Sequence, residues 1–181
     1  MGEDEVGPGL GEVCREEHPR LVGLLALYVG SVPVAEDLAQ ETLIRLSMHW
    51  DRVRRMPSPH NWLCGVGINL ARSWWRRRYA ELRANRRFDA GRATDTTDET
   101  ADAVALRAAV VTLPPRQRAA LVLRYYGGLS VADTAENLGC AEGTVKSLTS
   151  RAIDGLRDHL DIDVSDTREG RAADPEEAHH A

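Results

Sequence analysis

The stretch LSVADTAENLGCAEGTVKSLTSRAIDGL, residues 129–156, contains two helical segments separated by a glycine. Ser130 is the expected N-cap of a short helix over 131–138, and Gly139 can supply the left-handed turn that ends it. A second helix is predicted over 142–158, with four apolar residues on its inner side: Val145, Leu148, Ala152 and Leu156. This pattern indicates a helix-turn-helix, although helical hairpins with a glycine turn also occur in proteins that do not bind DNA.

The outer face of the second helix carries hydroxyl groups and two cations close to its N-terminus. A helix-turn-helix presents this part of its second helix to the major groove, where hydroxyls and helix N-termini hold phosphates and cations neutralise charge. The predicted DNA-contacting residues are Thr144, Lys146, Ser147, Thr149, Ser150 and Arg151. Taken alone, this motif does not distinguish a repressor, an activator and a response-regulator output domain.

The net charge of −5 hides an uneven distribution of charge along the chain. Residues 1–17 hold six acids and one arginine, and residues 161–181 hold seven acids and two arginines. Residues 51–92, in contrast, hold eleven arginines and three acids. Because local patches decide partners better than net charge does, the basic centre is a candidate surface for phosphate contact.

Apolar periodicity and helix-breaking residues predict an all-α chain with two small helical domains. The first domain, 13–88, contains helices over 13–29 and 34–50 and a third that begins with Asn61 as N-cap, after the prolines of residues 56–60. An acidic linker over 89–102 is expected to be flexible. The second domain, 103–160, contains a helix that stops before Pro114 and another that ends at Gly127, followed by the helix-turn-helix. Residues 1–12 and 161–181 are predicted to be disordered tails.

The sequence favours neither an enzyme nor a metal protein. The motifs HExxH and GxSxG and a Gly-rich phosphate loop are absent from it, so we expect no catalytic activity and no cofactor. Its three cysteines are widely spaced, which argues against a disulfide framework and a zinc site. Cys64 and Cys140 are expected to be small buried side chains, and Cys14 and His18 to lie on an ordinary helix surface. The acidic start is unlike a signal peptide, and no apolar run reaches the roughly 18 residues that a membrane span needs, so we expect a cytoplasmic protein.

Three segments carry a resemblance to a known family: VAEDLAQETLIRL at 34–46, NWLCGVGINLARSWWRRR at 61–78, and LPPRQRAALVLRYYGGLSVADTAENLGCAEGTVKS at 113–147. In this order the chain resembles an extracytoplasmic-function sigma factor of the sigma-70 family, in particular the actinobacterial sigma-E-like subgroup. The resemblance covers 13–88 and 103–160. It implies that the first domain is region 2, which binds the RNA polymerase clamp and opens the −10 element. The second would be region 4, which sits on the polymerase flap and reads the −35 element.

The resemblance also implies which residues act in the first domain. The match to AEDLxQE assigns polymerase binding to Asp37, Gln40 and Glu41. Contact with the −10 element is assigned to His60, Asn61, Asn69, Arg72, Trp75, Arg76, Arg77 and Arg78. Trp62 and Trp74 are expected in the core instead. Leu148 departs from the subgroup, which usually has a polar residue at this position.

The partners implied are core RNA polymerase, promoter DNA and an anti-sigma factor, and the free chain is expected to be a monomer. Two other classes remain open from the residues alone. A dimeric helix-turn-helix regulator would use 13–88 to sense a ligand or to dimerise, and would bind its operator tightly without polymerase. An adaptor or anti-sigma protein would not need the basic outer face of the second helix.

Overall fold

The computed structural model describes residues 8–84 and 100–160, and within these ranges every regular element is a helix. The predicted tail over 161–181, most of the predicted linker and residues 85–88 lie outside the described residues, as do residues 1–7. The all-α fold class predicted from the sequence is confirmed by the helical elements and by the family matches given below.

The first half of the chain forms a three-helix unit of α1 (Leu10–Val29), α2 (Val32–Val53) and α3 (Pro59–Ala84). One face of α1 is fully buried against both other helices, and it consists of Leu21, Leu24, Leu25 and Tyr28. Gly30 ends α1 with φ 83°, and its N–H donates to Ala26 O at 2.8 Å. A left-handed residue at this position closes the helix and lets α2 turn back along α1.

The N-cap predicted for α3 is wrong, because Ser58 caps the helix in place of Asn61. The Asn61 N–H donates to Ser58 Oγ at 3.2 Å, and α3 begins at Pro59. Proline has no N–H to leave unsatisfied and its φ suits the first helical position, so the helix starts three residues earlier than expected. Asn61 consequently lies in the first turn of α3.

The second half contains α4 (Ala101–Thr112), α5 (Pro115–Leu121), α6 (Val131–Leu138) and α7 (Glu142–Leu160). The α4 helix starts two residues before the predicted position, because Thr100 caps it by accepting the Ala103 N–H. A π-helical turn over Val122–Tyr126 continues α5. The Ser130 cap is confirmed by its bond from the Asp133 N–H at 3.0 Å, and the turn at Gly139 by a φ of 60°.

The buried side chains agree with the sequence for most of the predicted core. Cys64 is fully buried, and Trp62 and Trp74 pack partly buried against the core, as predicted. Cys140 is only partly buried, contrary to the prediction, because it directly follows the Gly139 turn between two helices. Leu148 is also only partly buried.

The two halves pack against each other and share one hydrophobic core. Val110, Leu113, Leu121 and Leu123 of the second half belong to the same buried cluster as the α1 residues. Arg118 of α5, only 3% exposed, donates from Nη1 to Tyr28 O at 3.0 Å and lies 5.2 Å from the ring centre of Trp75. Burial lowers the pKa of Arg118, with the nearby tyrosines opposing, yet the guanidinium remains charged at neutral pH. A buried charged group that bonds backbone carbonyls fixes how the two halves meet.

Candidate nucleic-acid and polymerase interfaces

The helix-turn-helix predicted at 129–156 is present, with α6 packed across α7. Val145 and Ala152 are fully buried in α7, and Thr134 and Ala135 are the buried residues of α6. The small side chain of Ala135 allows the two helices to approach closely. This packing turns the opposite face of α7 to solvent along the N-terminal half of the helix.

The outer face of α7, defined as the six residues predicted to contact DNA, is open in the structure. Lys146, Ser147, Ser150 and Arg151 are exposed, and the two threonines are partly buried. The hydroxyl of Ser147 donates to Thr144 O at 3.0 Å and that of Thr149 to Val145 O at 2.8 Å. With their protons held by the helix backbone, these two hydroxyl oxygens keep acceptor capacity, while Lys146 and Arg151 supply donors and charge.

Tyr125 is a neighbour of this face that the sequence analysis did not single out. It is 68% exposed and lines a cavity of about 290 Å³ together with Arg124, Lys146 and Thr149. The π-helical turn carries both Arg124 and Tyr125, and Arg124 is held by a bond to Leu129 O. The signal available in the sequence was the pair of tyrosines directly before Gly127, which the helix period could not assign to a face.

The arginines of α3 form an exposed basic track at the C-terminal end of the helix. Arg72, Arg76, Arg77 and Arg78 are all exposed. Arg76 donates to Ser73 Oγ at 2.9 Å, and Arg78 has a weak ion pair with Glu81 at 3.9 Å. Exposed i,i+3 pairs of this kind contribute little energy, so the arginines remain available for phosphates.

Trp75 lies at the edge of the basic track and is held by the rest of the fold. Its Nε1 donates to Tyr28 O at 3.5 Å, and its ring stacks on Tyr79 with 5.2 Å between the ring centres. One face of Trp75 is therefore occupied by Tyr79, and Arg118 lies against the ring as well. The structure thus makes Trp75 part of the contact between the halves, while Tyr79 is an exposed aromatic beside the arginines.

A cavity of about 530 Å³ lies where the loop before α3 meets α6, and we call it the α3–α6 cavity. Its wall in the first half is formed by Arg52, Met56, Ser58, Asn61, Trp62 and Asn69. Asp133, Glu136 and Asn137 of α6 form the opposite wall. Asn61 and Asn69, two of the predicted −10 contacts, are thus brought together at one opening.

His60, another predicted −10 contact, lies away from that cavity in a network between the halves. Its Nδ1 is 2.6 Å from Glu17 Oε2, its Nε2 is 2.8 Å from Gly127 O, and Cys64 Sγ is 3.4 Å from Nε2. The contacts with the Cys64 sulfur and the Glu17 carboxylate raise the pKa of His60 to about 11, against an opposing effect of burial. The imidazolium therefore donates one N–H to Glu17 and the other to the Gly127 carbonyl.

Glu17 is only 7% exposed, and it balances the charge of His60. Burial would raise the pKa of Glu17, but the bond to His60 and the charges of His60 and Arg20 outweigh it and lower that pKa. Arg20 Nη1 is 3.2 Å from Glu17 Oε1. Glu17 was counted in the sequence only as one acid of the N-terminal run, because nothing local reveals a partner 43 residues away.

The predicted polymerase-binding residues lie on the outer side of α2. Asp37 and Gln40 are exposed, and Glu41 is partly buried and paired with Arg45 at 3.0 Å. The same helix also exposes two large apolar side chains, Ile44 at 55% and Met48 at 73%. The spacing of residues 37, 41, 44 and 48 places an acidic patch and an apolar patch on one helix face, which the sequence analysis could have found.

Metal binding and membrane spanning have no support in the part of the chain that the structure describes. Across residues 8–84 and 100–160, histidines, cysteines and carboxylates do not gather into a group of three that could hold a metal ion. Across the same ranges, none of the helices combines the length and the apolar character that crossing a membrane requires.

Comparison with known families gives two matches in the same order as the two halves. Sigma-70 region 2 matches residues 13–81, and Sigma-70, region 4 matches residues 103–154. The first match contains α2, most of α3 and the loop between them, and the second contains α6 and most of α7.

Individual relatives agree with these matches over most of the chain. The RNA polymerase sigma-E factor of Streptomyces antibioticus is 35% identical over 87% of this chain and 91% of its own. The ECF RNA polymerase sigma factor SigM of Mycobacterium tuberculosis is 33% identical over 78% of this chain and 71% of its own. Among solved structures, the sigma factor RpoE of Bartonella quintana, in complex with the anti-sigma factor NepR, has a TM-score of 0.71 and 28% identity, covering 82% of this chain and 96% of its own.

Proposed function

The chain belongs to the extracytoplasmic-function group of the sigma-70 family of RNA polymerase sigma factors, and on this premise we propose which of its surfaces carry each step of initiation. A sigma factor binds core RNA polymerase, directs it to promoters through the −35 and −10 elements and aids promoter melting. These are binding steps, and the proposed role requires no reaction catalysed by this chain. The expectation that it is not an enzyme is part of the proposal.

We assign the −35 element to the outer face of α7. A sigma factor needs a helix that fits the major groove, and this face is exposed with cations and hydroxyls near the helix N-terminus. Lys146 and Arg151 are proposed to contact phosphates and bases, and Ser147, Ser150 and the two threonines to accept or donate at the groove edge. Tyr125 adds an exposed aromatic hydroxyl at the border of the same surface.

We assign the −10 element to the first half, with two surfaces in different roles. The basic track of Arg72 and Arg76–Arg78 is proposed to hold the phosphates of the separated strand. The α3–α6 cavity, with Asn61 and Asn69 at its opening, is proposed to take an unstacked base by hydrogen bonds to its edge. We keep His60 as a proposed −10 contact because it lies at the start of α3. It can contact DNA only in a state of the chain in which its bond to Gly127 O is broken.

The polymerase-binding surface is proposed to be the outer face of α2. Asp37, Gln40 and Glu41 would meet cations of the clamp, and Ile44 and Met48 would provide apolar contact beside them. An acidic and apolar surface of this kind combines electrostatic steering with buried anchors, which together give both fast and lasting association.

An anti-sigma factor is the further partner that we propose, together with a monomeric free chain and a place in the cytoplasm, where polymerase acts. The support is the likeness to a sigma factor whose structure was solved with the anti-sigma factor NepR. Purification of the tagged chain from its native cells, followed by identification of the co-purifying proteins, tests this. A specific partner that competes with core polymerase is the expected result, and recovery of polymerase alone would contradict it.

One observation carries the proposed function. The half matched to region 4 exposes the outer face of α7, and the half matched to region 2 exposes the basic track. The test is to mix the purified chain with core polymerase and genomic DNA fragments and to map transcript starts. New starts that share −35 and −10 sequences are expected. Absence of new starts, together with failure of polymerase to co-purify with the chain, would refute the proposal.

A further inference from the structure

We propose that Tyr79 is a stacking platform for one unpaired base of single-stranded DNA, and that the arginines beside it on α3 hold the phosphates of the same strand. This inference rests on the proposed −10 role of the basic track. It adds to that role a second base-binding position, which lies on the exposed surface of α3 and is separate from the α3–α6 cavity.

The first argument is the exposure of Tyr79. Among the residues that the structure describes in the first half, it is the only tyrosine or tryptophan that is exposed, at 49%. The others are buried or partly buried: Tyr28, Trp50, Trp62, Trp74 and Trp75. Aromatic rings that are left accessible on a basic surface are the groups on which proteins stack the bases of single strands.

The second argument is that the ring of Tyr79 is held in place. It stacks on Trp75 with 5.2 Å between the ring centres and 26° between the ring planes. Trp75 is in turn held by the rest of the fold, because its Nε1 donates to Tyr28 O and the Arg118 guanidinium lies 5.2 Å from its ring centre. Trp74 contacts the same ring edge to face, with 5.0 Å between the centres. A ring that is oriented before binding loses little conformational entropy when a base stacks on it.

The third argument is the position of Tyr79 on α3. Positions 69, 72, 76, 79 and 83 recur at intervals of three and four, so they share one helix face within an arc of about 80°. All five residues are exposed: Asn69, Arg72, Arg76, Tyr79 and Arg83. Tyr79 thus lies between two cations, three residues after Arg76 and four before Arg83. A strand that follows this face meets positive charge on both sides of the ring, which is how single-strand sites combine a basic groove with an aromatic platform.

The fourth argument is that the same face leads to the α3–α6 cavity. Asn69 lines that cavity and lies ten residues before Tyr79, which is about 15 Å along the helix. A strand with one base in the cavity therefore reaches the Tyr79 ring further along α3. A base that stacks on Tyr79 is withdrawn from pairing with the opposite strand, so the contact favours the separated state of the promoter.

Tyr79→Leu and Tyr79→Phe are the variants that test the inference. Leucine keeps an apolar side chain beside Trp75 and suits a helix, but it has no aromatic face. Phenylalanine keeps the ring and removes only the hydroxyl. The probes are two fluorescein-labelled, 12-nucleotide single strands, measured by anisotropy with the full free chain. One is a DNA pool of random sequence, and the other has the same phosphates but is abasic at every position.

We expect wild type to bind the random pool more tightly than the abasic strand. Tyr79→Leu should bind the pool about tenfold more weakly than wild type, a loss typical for the removal of one stacking aromatic. Tyr79→Phe should bind the pool as wild type does. All three proteins should bind the abasic strand equally and with the same slope of log affinity against log salt, because the phosphate contacts are unchanged.

Four results would overturn the inference. They are equal binding of the pool by wild type and Tyr79→Leu, and equal binding of the two strands by wild type. An equal loss on the abasic strand would mean that Tyr79 only supports the arginines, and an equal loss in Tyr79→Phe would mean that the hydroxyl makes the contact. Thermal unfolding checks that the variants fold, and Tyr79→Gln serves as a second variant without a ring.

Arg76→Gln with Arg77→Gln separates a failure of this inference from a failure of the proposed function. If the basic track holds a strand but Tyr79 does not stack on its bases, the arginine variant will weaken the binding of both probes and Tyr79→Leu will weaken neither. If the track has no role in binding single strands, the arginine variant will bind both probes as wild type does.

Discussion

The outer face of α7 and the α3–α6 cavity are both proposed DNA sites, and they differ in whether the free chain presents them. The α7 face is open, with Lys146 and Arg151 exposed. The cavity is closed on one side by the carboxylates of α6. The face proposed to read duplex DNA is thus accessible in this structure, whereas the cavity proposed to take a separated base has α6 along one side.

The strongest way to test this difference is to lock the halves together. A Cβ at residue 65 lies 3.0 Å from Asn137 Cγ, which is close to the spacing of about 3 Å between a Cβ and the partner sulfur in a disulfide. We expect Gly65→Cys with Asn137→Cys, in a background without Cys14, Cys64 and Cys140, to form a disulfide with diamide. Promoter-dependent transcription should then fall by about two orders of magnitude, equivalent to a cost of about 2.7 kcal/mol.

The same locked protein supplies its own controls. Reduction with dithiothreitol should restore transcription, and the binding of non-specific duplex DNA by the free chain should be the same when oxidised and reduced, because α7 is untouched. Equal transcription by the oxidised and reduced protein would show that the halves need not separate. Loss of duplex binding on oxidation would show that the two sites are not independent.

Charge reversal on α2 tests whether polymerase binding is separate from both DNA sites. For Asp37→Arg with Glu41→Arg we expect core polymerase affinity to fall by between about tenfold and a hundredfold, since like charges placed at an electrostatically matched interface cost several kcal/mol. Titration with labelled polymerase measures this. Glu12→Arg with Glu16→Arg on α1 makes the same charge change at two exposed acids and should have little effect. Equal affinity of the two variants would refute the α2 assignment.

Removal of one cation from α7 gives a smaller effect at the open site. Lys146→Ala should reduce the slope of log affinity against log salt by about 0.9 and weaken −35 binding by several fold. The measurement uses holoenzyme and duplexes taken from the mapped promoters. Arg157→Ala, at the far end of α7 and ion-paired with Asp154 at 3.6 Å, is the control and should leave the slope unchanged. A Lys146→Ala slope equal to that of wild type would mean that Lys146 contacts no phosphate.

The comparison of the two sites also shows what the sequence could reveal. The Ser130 cap, the Gly139 turn and the buried Val145 follow from local pattern, because caps, turns and helix period act within a few residues. The exposed arginines of α3 follow from composition. The packing of the two halves does not, because it depends on pairs that are 70 residues apart or more, such as Gly65 with Asn137 and Tyr28 with Arg118.

The N-cap of α3 was predicted at the wrong residue, and here the reason lies within a few residues. Ser58 and Asn61 are both residue types that cap helices well. Pro59 occupies the first helical position, so the helix starts there and Ser58 becomes its cap. His60 was predicted as a DNA contact from the resemblance, and its bonds to Glu17 and Gly127 O could not be anticipated because neither partner is near in sequence. Charged groups that join distant elements were therefore the part of the site that pattern reasoning missed.

The smallest effect that we expect is the pH dependence of the contact made by His60. Its pKa in the folded chain is about 11, against about 6.5 in an unfolded chain. The folded state therefore binds a proton that the unfolded state loses as pH rises above about 6.5, so the stabilisation by His60 is complete below that pH and decreases from there toward pH 11. Glu17 acts oppositely and at lower pH: because its pKa is lowered in the folded chain, its stabilisation is complete above about pH 4.3 and is lost progressively as pH falls below that value.

Urea unfolding at pH 6, 7, 8 and 9 measures this dependence by comparing wild type with His60→Gln, which keeps Glu17, Arg20 and Cys64 unchanged. We expect the stability advantage of wild type to shrink as pH rises from 6 to 9, by no more than about 1.4 kcal/mol per pH unit, which is the limit for one proton. An advantage that is constant from pH 6 to 9 would mean that His60 has the same charge in the folded and unfolded chain. The bond to Gly127 O would then be that of a neutral imidazole, and the contact between the halves would be correspondingly weaker.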